Sequence, residues 1–254
     1  MPLLKANNLT IKFGGLVAVS DFTLNMGDND LYGLIGPNGA GKTTIFNMLT
    51  GVYSPTSGDI VFSGENITGI KPYEITKKKI ARTFQNIRLF KQLSVLDNVK
   101  ISFDYQTKYT LAEAILKLPR YFEQEAKIAE EAMEILKIFD LQDKAEEFSE
   151  NLPYGEQRRL EIARALAARP KLLLLDEPAA GMNPQETQEL MALIRFIRKE
   201  FNISILLIEH DMRLVMGVCE RIIVVDYGKI IAEGTPDEIK KNPKVIEAYL
   251  GEEN

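Results

Sequence analysis

The sequence contains only one cysteine and one histidine, and it has no long apolar run. Cys219 has no second cysteine to pair with, which excludes an internal disulfide framework and is compatible with a reducing cytoplasm. No stretch approaches the roughly 20 apolar residues that a membrane-spanning helix needs. The first residues, MPLLKANNLTIKF, lack the charged leader and apolar run of a signal peptide. We therefore expect a cytoplasmic protein that reaches a membrane only by docking onto another protein.

An excess of positive charge is also missing. The 254 residues include 31 Lys and Arg against 36 Asp and Glu, which gives a formal net charge of −5. Such a chain offers no overall positive field to a phosphate backbone, so we expect no nucleic-acid partner. Hydrophobic residues make up 45% of the sequence, enough for a substantial core. The length fits one large α/β domain or two small ones.

Hydrophobic patterning divides the chain into regions. The first third alternates apolar and polar residues (LTIKF, LVAVSDFTLNM, DIVFSG), which is typical of a small antiparallel sheet. Residues 105–147 have helical periodicity interrupted at Pro119, which predicts a helical insertion. Strand and helix patterns then alternate, which predicts a parallel sheet flanked by helices. Asn183 and Thr235 are each followed by proline and mark two helix starts.

A glycine-rich stretch, GPNGAGKTT, follows the strand-like LYGLI and precedes a helical segment. This is the Walker A pattern in its strand-to-helix context, where glycines let backbone N–H groups wrap a phosphate closely. Lys42 is expected to contact the β- and γ-phosphates, and the Thr43 hydroxyl to ligate Mg²⁺. The predicted nucleotide-binding residues of this loop are Gly36, Pro37, Asn38, Gly39, Ala40, Gly41, Lys42, Thr43 and Thr44.

A four-leucine strand, KLLLLDEP, ends in Asp176 and Glu177. Two acids at the end of a buried strand are costly unless a cation or a reaction uses them. We interpret Asp176 as the acid that holds Mg²⁺ through a water, and Glu177 as the base that polarises the attacking water. A strand that simply ends in solvated acids is the alternative.

Two further polar residues follow apolar, strand-like stretches, His210 after SILLIE and Gln85 after the segment IARTF. Open α/β sheets bind ligands at the carboxyl ends of their strands, which favours a role for both. The Gln85 amide could ligate the metal or the water. Considered alone, a single histidine such as His210 is more often structural, and composition alone indicates that Gln85 is a loop residue.

The segment NLPYGEQRRLEIARAL, residues 151–166, begins like a second anion-binding helix, although residues 36–43 already provide one. Free N–H groups and the positive end of the helix dipole attract phosphate there, the dipole being worth about 0.3–1 kcal/mol. An ordinary amphipathic helix with a glycine near its start is the alternative.

Together these motifs resemble the ATP-binding subunits of ABC transporters, from about Leu4 to the C-terminus. The resemblance implies an α/β fold: a RecA-like P-loop NTPase core with a parallel sheet, an N-terminal antiparallel β subdomain and an inserted helical subdomain. It implies a single ATP-binding domain over residues 1–254, with the core at about 1–85 and 161–254 and the helical subdomain at about 86–160. ATP and Mg²⁺ are the implied cofactors.

The resemblance also implies roles for individual residues. Glu177, His210, Gln85 and Lys42 would be catalytic, and Thr43, Gln85 and Asp176 would be metal ligands. Phe13 would stack on adenine, and Ala180 to Asn183 would form the D-loop. Leu152 to Glu156 would be the signature segment, whose residues Tyr154, Gly155 and Glu156 contact the γ-phosphate held by a partner's Walker A loop, so that two subunits clamp two ATP molecules.

Two positions depart from the family pattern. Pro153 stands where the signature usually has serine, and Asn183 stands where the D-loop usually has aspartate. A hydrogen bond to a charged group is worth about 1.5–3 kcal/mol, so the missing hydroxyl makes unequal ATP sites an expectation.

These departures resemble the LivG-type ATPases of branched-chain amino acid importers, as do DEPAAGMNP, EHDMRLVM and EGTPDEIKKNPKVIEAYLG. The resemblance implies a hetero- or homodimer of ATPase subunits, integral membrane permeases, and indirectly a solute-binding protein. It places the chain peripherally on the inner face of the cell membrane. A soluble mechanochemical ABC ATPase, such as a cluster-assembly protein without a permease, is the alternative function. A nucleotide switch without hydrolysis is disfavoured by Glu177 and His210.

Overall fold

The computed structural model describes residues 2–106 and 109–250, with side chains for all of these except residues 104–106 and 250. The strands are β1 (Leu4–Phe13), β2 (Leu16–Met26), β3 (Leu31–Ile35), β4 (Ser57–Phe62), β5 (Glu65–Asn66), β6 (Ile80–Arg82), β7 (Leu172–Asp176), β8 (Ser204–Ile208), β9 (Arg221–Asp226) and β10 (Lys229–Gly234). The α-helices are α1 (Lys42–Leu49), α2 (Pro72–Lys77), α3 (Val95–Lys100), α4 (Leu111–Ile115), α5 (Pro119–Ile138), α6 (Tyr154–Ala167), α7 (Pro184–Glu200), α8 (Met212–Val218), α9 (Pro236–Lys240) and α10 (Pro243–Leu250). Short 3₁₀ helices cover Ile101–Gln106, Gln142–Lys144 and Ser149–Asn151.

The chain divides into two compact units. The nucleotide-loop unit comprises Met1–Gln85 and Lys171–Asn254, and the helical unit comprises Asn86–Pro170. The sequence predicts that the helical subdomain ends near residue 160, but the helical unit continues to Pro170. The reason is that α6 is one continuous hydrogen-bonded helix that packs on α3 and α5, so all of it belongs with these helices.

A six-stranded sheet forms the centre of the nucleotide-loop unit, in the order β10-β9-β3-β8-β7-β6. Every residue of β3, β7 and β8 is buried, as expected for parallel strands with both faces covered. Strand β3 pairs in parallel with β8 and β9, and β7 pairs in parallel with β6 and β8, whereas β10 is antiparallel to β9. The predicted parallel sheet is therefore confirmed.

The predicted antiparallel β subdomain is a four-stranded sheet in the order β2-β1-β4-β5. Strand β1 alternates buried and exposed residues only in part, because shifts in its register with β2 interrupt the pairing. Buried side chains of this sheet belong to the same apolar cluster as residues of α1 and of the large sheet. The cluster includes Leu9 of β1, Phe22 of β2, Phe46 of α1 and Leu174 of β7. The two sheets therefore share a core.

Helices α3, α5 and α6 pack on one another in the helical unit. Pro119, where the sequence indicates a break, is the first residue of α5, a position that tolerates proline because the N–H there lacks a helical partner anyway. Two residues of the predicted helical stretch 105–147, numbers 107 and 108, lie outside the described residues. Within the part of the chain that is described, none of the helices has both the length and the apolarity to cross a membrane.

The two helix starts marked in the sequence are confirmed. The Asn183 side chain accepts hydrogen bonds from the backbone N–H groups of Gln185 and Glu186, and the Glu186 carboxylate accepts one from the N–H of Asn183. Thr235 and Glu238 form the same reciprocal pair at α9. Such caps are typically worth about 1 kcal/mol each.

Two glycines with left-handed backbones give a matched test of packing. Gly51 has φ +70, and a Cβ there would overlap the carbonyl oxygen of Ile70, whereas Gly14 has φ +58 and nothing within 4 Å of a Cβ. We expect Gly14→Ala to lower the free energy of unfolding by about 1–2 kcal/mol through backbone strain alone. Gly51→Ala should cost about 1–3 kcal/mol more. Urea unfolding measures both, and equal losses would show that residues 51 and 70 are not so closely packed.

Candidate nucleotide site

Parallel pairing brings the predicted functional segments to one edge of the large sheet. The Walker A loop follows β3, Gln85 follows β6, Glu177 follows β7 and His210 follows β8, so all of them leave the carboxyl ends of neighbouring strands. The register pairs Asp176 directly with Ile208. The residues that come next on the two strands therefore lie side by side, where open α/β sheets bind ligands.

The loop of residues 36–44 turns tightly between β3 and α1. Gly36 has φ +151, and a Cβ at this position would overlap the carbonyl oxygen of Val225 on β9. Only glycine fits this close approach of two backbones. The constraint explains why the loop begins with glycine immediately after the buried strand.

Lys42, the first residue of α1, is 6% exposed and directs its side chain back onto the loop. Its Nζ donates hydrogen bonds to the carbonyl oxygens of Gly36 at 2.5 Å and Pro37 at 2.7 Å. The ammonium group is thus held beside the loop that would receive a phosphate. Because a lysine ammonium has three donors on a flexible stem, it can turn from a carbonyl to an anion with a small movement.

A cavity of about 290 Å³ lies over this loop. It is lined by Asn38, Gly39, Ala40, Gly41, Lys42, Thr43, Thr44, Gln85, Glu177 and His210. The cavity is thus lined by most of the predicted loop and by all four predicted catalytic residues, Lys42 of the loop among them. Of the remaining loop residues, Pro37 lines a neighbouring cavity of about 420 Å³ together with Tyr227 and Lys244.

The Glu177 carboxylate is bound on both oxygens inside the cavity. Gln85 Nε2 donates to Oε2 at 2.7 Å, and His210 Nε2 lies 2.7 Å from Oε1. A carboxylate oxygen can only accept a hydrogen bond, so the Nε2–H of His210 is assigned as the donor. An ionised carboxylate offers about four acceptor sites, so these two bonds leave capacity for a water molecule.

Glu177 adopts a strained backbone conformation, with φ +49. Left-handed conformations of non-glycine residues cost about 1–3 kcal/mol and persist where neighbouring structure over-determines them. The backbone N–H of Glu177 donates to the carbonyl oxygen of Ile208 at 2.9 Å, which ties it to the end of β8. In this conformation the Glu177 carboxylate contacts His210, which lies in the loop after β8.

Asp176 forms a buried ion pair that the sequence analysis missed. Arg82 NH2 lies 2.7 Å from Asp176 Oδ2, and the side chains are 8% and 4% exposed. Arg82 NH1 also donates to Asn47 and Thr50, and the guanidinium lies 5.5 Å from the ring centre of Phe46. Arg82 thus connects Asp176 to the end of α1. The sequence feature that could have indicated this ion pair is an arginine at the end of the short strand β6.

Glu209 is a second site residue that the motifs did not reveal. It is 3% exposed, and its carboxylate accepts hydrogen bonds from the backbone N–H groups of Ala179, His210 and Asp211. Burial raises the pKa of the Glu209 carboxyl, these N–H groups oppose the rise, and the charge of Glu177 adds to it. The sequence feature that could have indicated Glu209 is its position directly after a buried strand, which resembles the position of Asp176 at the end of β7.

Phe13 ends β1 and is 45% exposed. Its ring packs edge-on against Tyr53, with 5.2 Å between ring centres and an interplanar angle of 73°. The ring does not line the 290 Å³ cavity. A half-exposed aromatic side chain leaves a face for stacking, so its adenine contact stays a prediction.

Tyr154, Gly155 and Glu156 form the first turn of α6 in the helical unit, while the residues that line the 290 Å³ cavity belong to the nucleotide-loop unit. Pro153 precedes them and provides no side-chain cap. The Glu156 carboxylate accepts hydrogen bonds from Lys144 at 2.6 and 2.8 Å, which neutralises it. The Tyr154 hydroxyl accepts one from Arg158 at 3.2 Å.

The predicted metal ligands differ in their surroundings. Thr43 and Gln85 line the 290 Å³ cavity, whereas Asp176 does not and has one oxygen bound by Arg82. Across residues 2–106 and 109–250, no group of three or more His, Cys, Asp or Glu side chains is placed to hold a metal ion. A hydroxyl, an amide and one carboxylate nevertheless match Mg²⁺, which usually takes one or two carboxylates and completes its shell with phosphate oxygens and waters.

Comparison with known proteins identifies the class. The family model described as ABC transporter matches residues 19–180, and a model described as branched-chain amino acid ATP-binding cassette transporter matches residues 229–254. The chain belongs to the ATP-binding proteins of ABC transporters and is an ATP-hydrolysing transporter subunit.

Similar proteins include ATP-binding proteins of amino acid transport and lipopolysaccharide export. The chain is 47% identical over 251 residues to the high-affinity branched-chain amino acid transport ATP-binding protein LivG of Salmonella typhimurium, covering 99% of this chain and 98% of the relative. It is 45% identical to the high-affinity branched-chain amino acid transport ATP-binding protein BraF of Pseudomonas aeruginosa, covering 99% of this chain and 98% of the relative. The lipopolysaccharide export ATP-binding protein LptB of Haemophilus influenzae is 35% identical, covering 100% and 99%.

Solved structures share the fold. A crystal structure of an ATP-binding cassette of an ABC transporter in its ADP conformation has a TM-score of 0.86 at 29% identity, covering 99% of both chains. A nucleotide-free cassette has a TM-score of 0.84 at 31% identity, covering 98% of this chain and 99% of the other. A dimeric cassette bound to ADP and Pi has a TM-score of 0.77 at 25% identity, covering 92% and 98%.

The ion pair of Arg82 and Asp176 predicts a large and specific stability effect. Arg82→Met removes one partner of a buried pair and should lower the free energy of unfolding by about 3–5 kcal/mol. Arg221→Met is the matched control, because it breaks the exposed pair with Glu233, in which the side chains are 45% and 43% exposed, and should cost about 0–1 kcal/mol. Urea unfolding of both variants measures the two losses in free energy of unfolding. Similar losses in the two would mean that Asp176 does not depend on Arg82.

Proposed function

We propose that the chain is the ATP-hydrolysing subunit of an importer of branched-chain amino acids. Relatives at 45% and 47% identity carry that description, whereas the lipopolysaccharide export relative is at 35%. The match of residues 229–254 to the branched-chain amino acid model adds support from a different part of the chain. The amino acid itself would contact the permease and the solute-binding protein of such a system, not this subunit.

ATP would bind over the Walker A loop. Lys42 exchanges its contacts with the carbonyl oxygens of Gly36 and Pro37 for the β- and γ-phosphates, while backbone N–H groups of residues 38–44 surround them. Phe13 supplies its exposed face to the adenine. Thr43, Gln85 and Asp176 would hold Mg²⁺, which when bound neutralises charge on the β- and γ-phosphates.

Hydrolysis would use Glu177 as the base, and its contacts with Gln85 and His210 are the observation that carries this assignment. Its carboxylate accepts a hydrogen bond from the attacking water and takes its proton as the water oxygen bonds to the γ-phosphorus. The bond from that phosphorus to the bridging oxygen of the β-phosphate breaks, and ADP leaves with that oxygen. Gln85 and the Nε2–H of His210 fix the orientation of the carboxylate. The proton acceptor is then in place before the reaction, so little reorganisation is needed.

A second chain would complete each ATP site. The first N–H groups of an α-helix have no partner within the helix, and Pro153 provides no side-chain cap for those of α6. Because Lys144 also neutralises Glu156 there, this helix end can receive the γ-phosphate bound by a partner. The related cassette crystallised as a dimer with ADP and Pi supports this arrangement. With Pro153 in place of serine, the contact depends on the backbone N–H groups.

Membrane permeases would be the remaining partners, and the chain would work peripherally at the inner face of the membrane. The segment 89–99 exposes Phe90, 50% accessible, and is a candidate contact with the permease. Co-purification from detergent extracts of the source cells tests this. Permease-like membrane proteins should accompany the tagged chain, and their consistent absence would favour the soluble mechanochemical ATPase.

Glu177→Gln tests the catalytic assignment. The amide keeps the size of the side chain but cannot accept a proton, so the rate of phosphate release should fall by about 10²- to 10³-fold. ATP affinity, measured by calorimetry, should change little because Glu177 contacts the water and not the phosphate. Glu233→Gln, an exposed substitution of the same kind, should leave both values as in the wild type. Undiminished turnover in the Glu177 variant would show that another group is the base.

ATP-dependent association tests the role of α6. Glu177→Gln should accumulate a dimer on size-exclusion chromatography when ATP and Mg²⁺ are present. Adding Gly155→Asp places a carboxylate at the helix end and should abolish the dimer without loss of ATP binding, because like charges repel the γ-phosphate. Adding Ala112→Asp instead, an exposed change in the same unit, should leave the dimer intact. A dimer unaffected by Gly155→Asp would rule out this helix end as the phosphate contact.

A further inference from the structure

We propose that Glu209 is a positioning residue for hydrolysis: its carboxylate fastens the loop after β7 to the loop after β8 and so holds Glu177 against His210. The inference deepens the proposed function and rests on it for its kinetic consequence. Its structural consequence, the orientation of His210, can be measured without any turnover.

The two oxygens of Glu209 bind different loops. Oε1 accepts a hydrogen bond from the N–H of Ala179 at 2.7 Å, which belongs to the loop after β7. Oε2 accepts from the N–H groups of His210 at 2.8 Å and Asp211 at 3.2 Å, which belong to the loop after β8. One buried side chain thereby satisfies three backbone donors that the ends of the two strands leave without ladder partners.

These three hydrogen bonds of Glu209, here called the Glu209 clamp, lie next to Glu177 along the chain. The N–H of Glu177 donates to the carbonyl oxygen of Ile208, the residue before Glu209, and Ala179 lies two positions after Glu177. The backbone of Glu177, with φ +49, is therefore tied to the end of β8 on both sides. Without the tie from Glu209 to Ala179, the strained residue could relax and turn its carboxylate away from His210.

Such a relaxation would disturb the short contact between Glu177 and His210. Glu177 Oε1 and His210 Nε2 are 2.7 Å apart and arise from different loops. A displacement of about 1 Å in such a constellation can cost about 10²-fold in rate. Glu209 itself does not line the 290 Å³ cavity. Glu209 therefore acts through Glu177 and His210.

Three variants separate positioning from charge. Glu209→Gln keeps the shape, but its amide offers one oxygen and one NH₂ group, so one of the two loops loses its acceptor. Glu209→Asp keeps the charge but is one methylene shorter and cannot reach both loops. Glu233→Gln is the control for an exposed substitution whose carboxylate pairs only with Arg221 among the described contacts.

Steady-state kinetics give the first readout. We expect kcat to fall about 10-fold or more in both Glu209 variants while KM for ATP stays within about twofold, because the clamp affects orientation and not phosphate contacts. The Glu233 variant should match the wild type. Wild-type kcat in Glu209→Asp would show that hydrolysis does not depend on the link between the two loops, which overturns the proposal. If the wild-type chain itself does not hydrolyse ATP, the proposed function fails, and the second readout decides the role of Glu209.

The second readout uses the fact that His210 is the only histidine. Nitrogen-15 labelling of histidine gives a single imidazole to observe by NMR in the full chain without nucleotide. The wild type should show Nε2 protonated, and Glu177→Gln supplies the signal of an imidazole that has lost its carboxylate partner. Both Glu209 variants should shift toward that signal, whereas Glu233→Gln should not.

Folding is checked by thermal unfolding of each variant. If Glu209→Gln does not fold, Glu209→Asp carries both readouts alone. Wild-type imidazole signals in a folded Glu209 variant would overturn the proposal whatever its kcat, because the orientation of His210 would then not depend on Glu209.

Discussion

The parallel pairing of β7 with β8 is the constraint on which the site depends. Five consecutive residue pairs from Leu172 with Ser204 to Asp176 with Ile208 form this ladder, and all of the residues are buried. Because neighbouring residues of a strand face opposite sides, a slip by one residue would send every side chain to the wrong face. The buried leucines and isoleucines therefore fix the register. That register in turn sets Glu177 beside the residues that follow β8.

Three acids at these two strand ends show how a protein assigns different roles to the same chemistry. Asp176 is compensated by the buried guanidinium of Arg82, Glu177 by the polar side chains of Gln85 and His210, and Glu209 by backbone N–H groups. A buried charge must be paired or hydrogen-bonded, and the kind of partner decides what remains available. Of the three, only Glu177 lines the 290 Å³ cavity over the Walker A loop. Asp176 is instead held by Arg82, and Glu209 by the backbone of the two loops.

Much of this arrangement could be predicted from the sequence because it depends on local patterns. Glycines next to Lys42, apolar strands that end in acids, and alternation in β1 and β2 each report on a few consecutive residues. The contacts of Arg82 and Glu209 could not be predicted in that way, because their partners depend on strand order and register. The boundary of the helical unit at Pro170 was missed for a similar reason, since the packing partners of α6 decide where it belongs. The left-handed backbone of Glu177 has no sequence signal, because glutamate rarely adopts it.

In the proposed function, each chain supplies parts of two ATP sites. The nucleotide-loop unit would supply the phosphate loop, the acids and the histidine, and the first turn of α6 on the helical unit would contact the phosphate held by a partner. The most direct test is the structure of the Glu177→Gln chain with ATP and Mg²⁺, determined by crystallography or electron microscopy. Two chains should be found, each γ-phosphate lying between Lys42 of one and residues 154–156 of the other. A γ-phosphate enclosed entirely by the residues of a single chain would contradict the account.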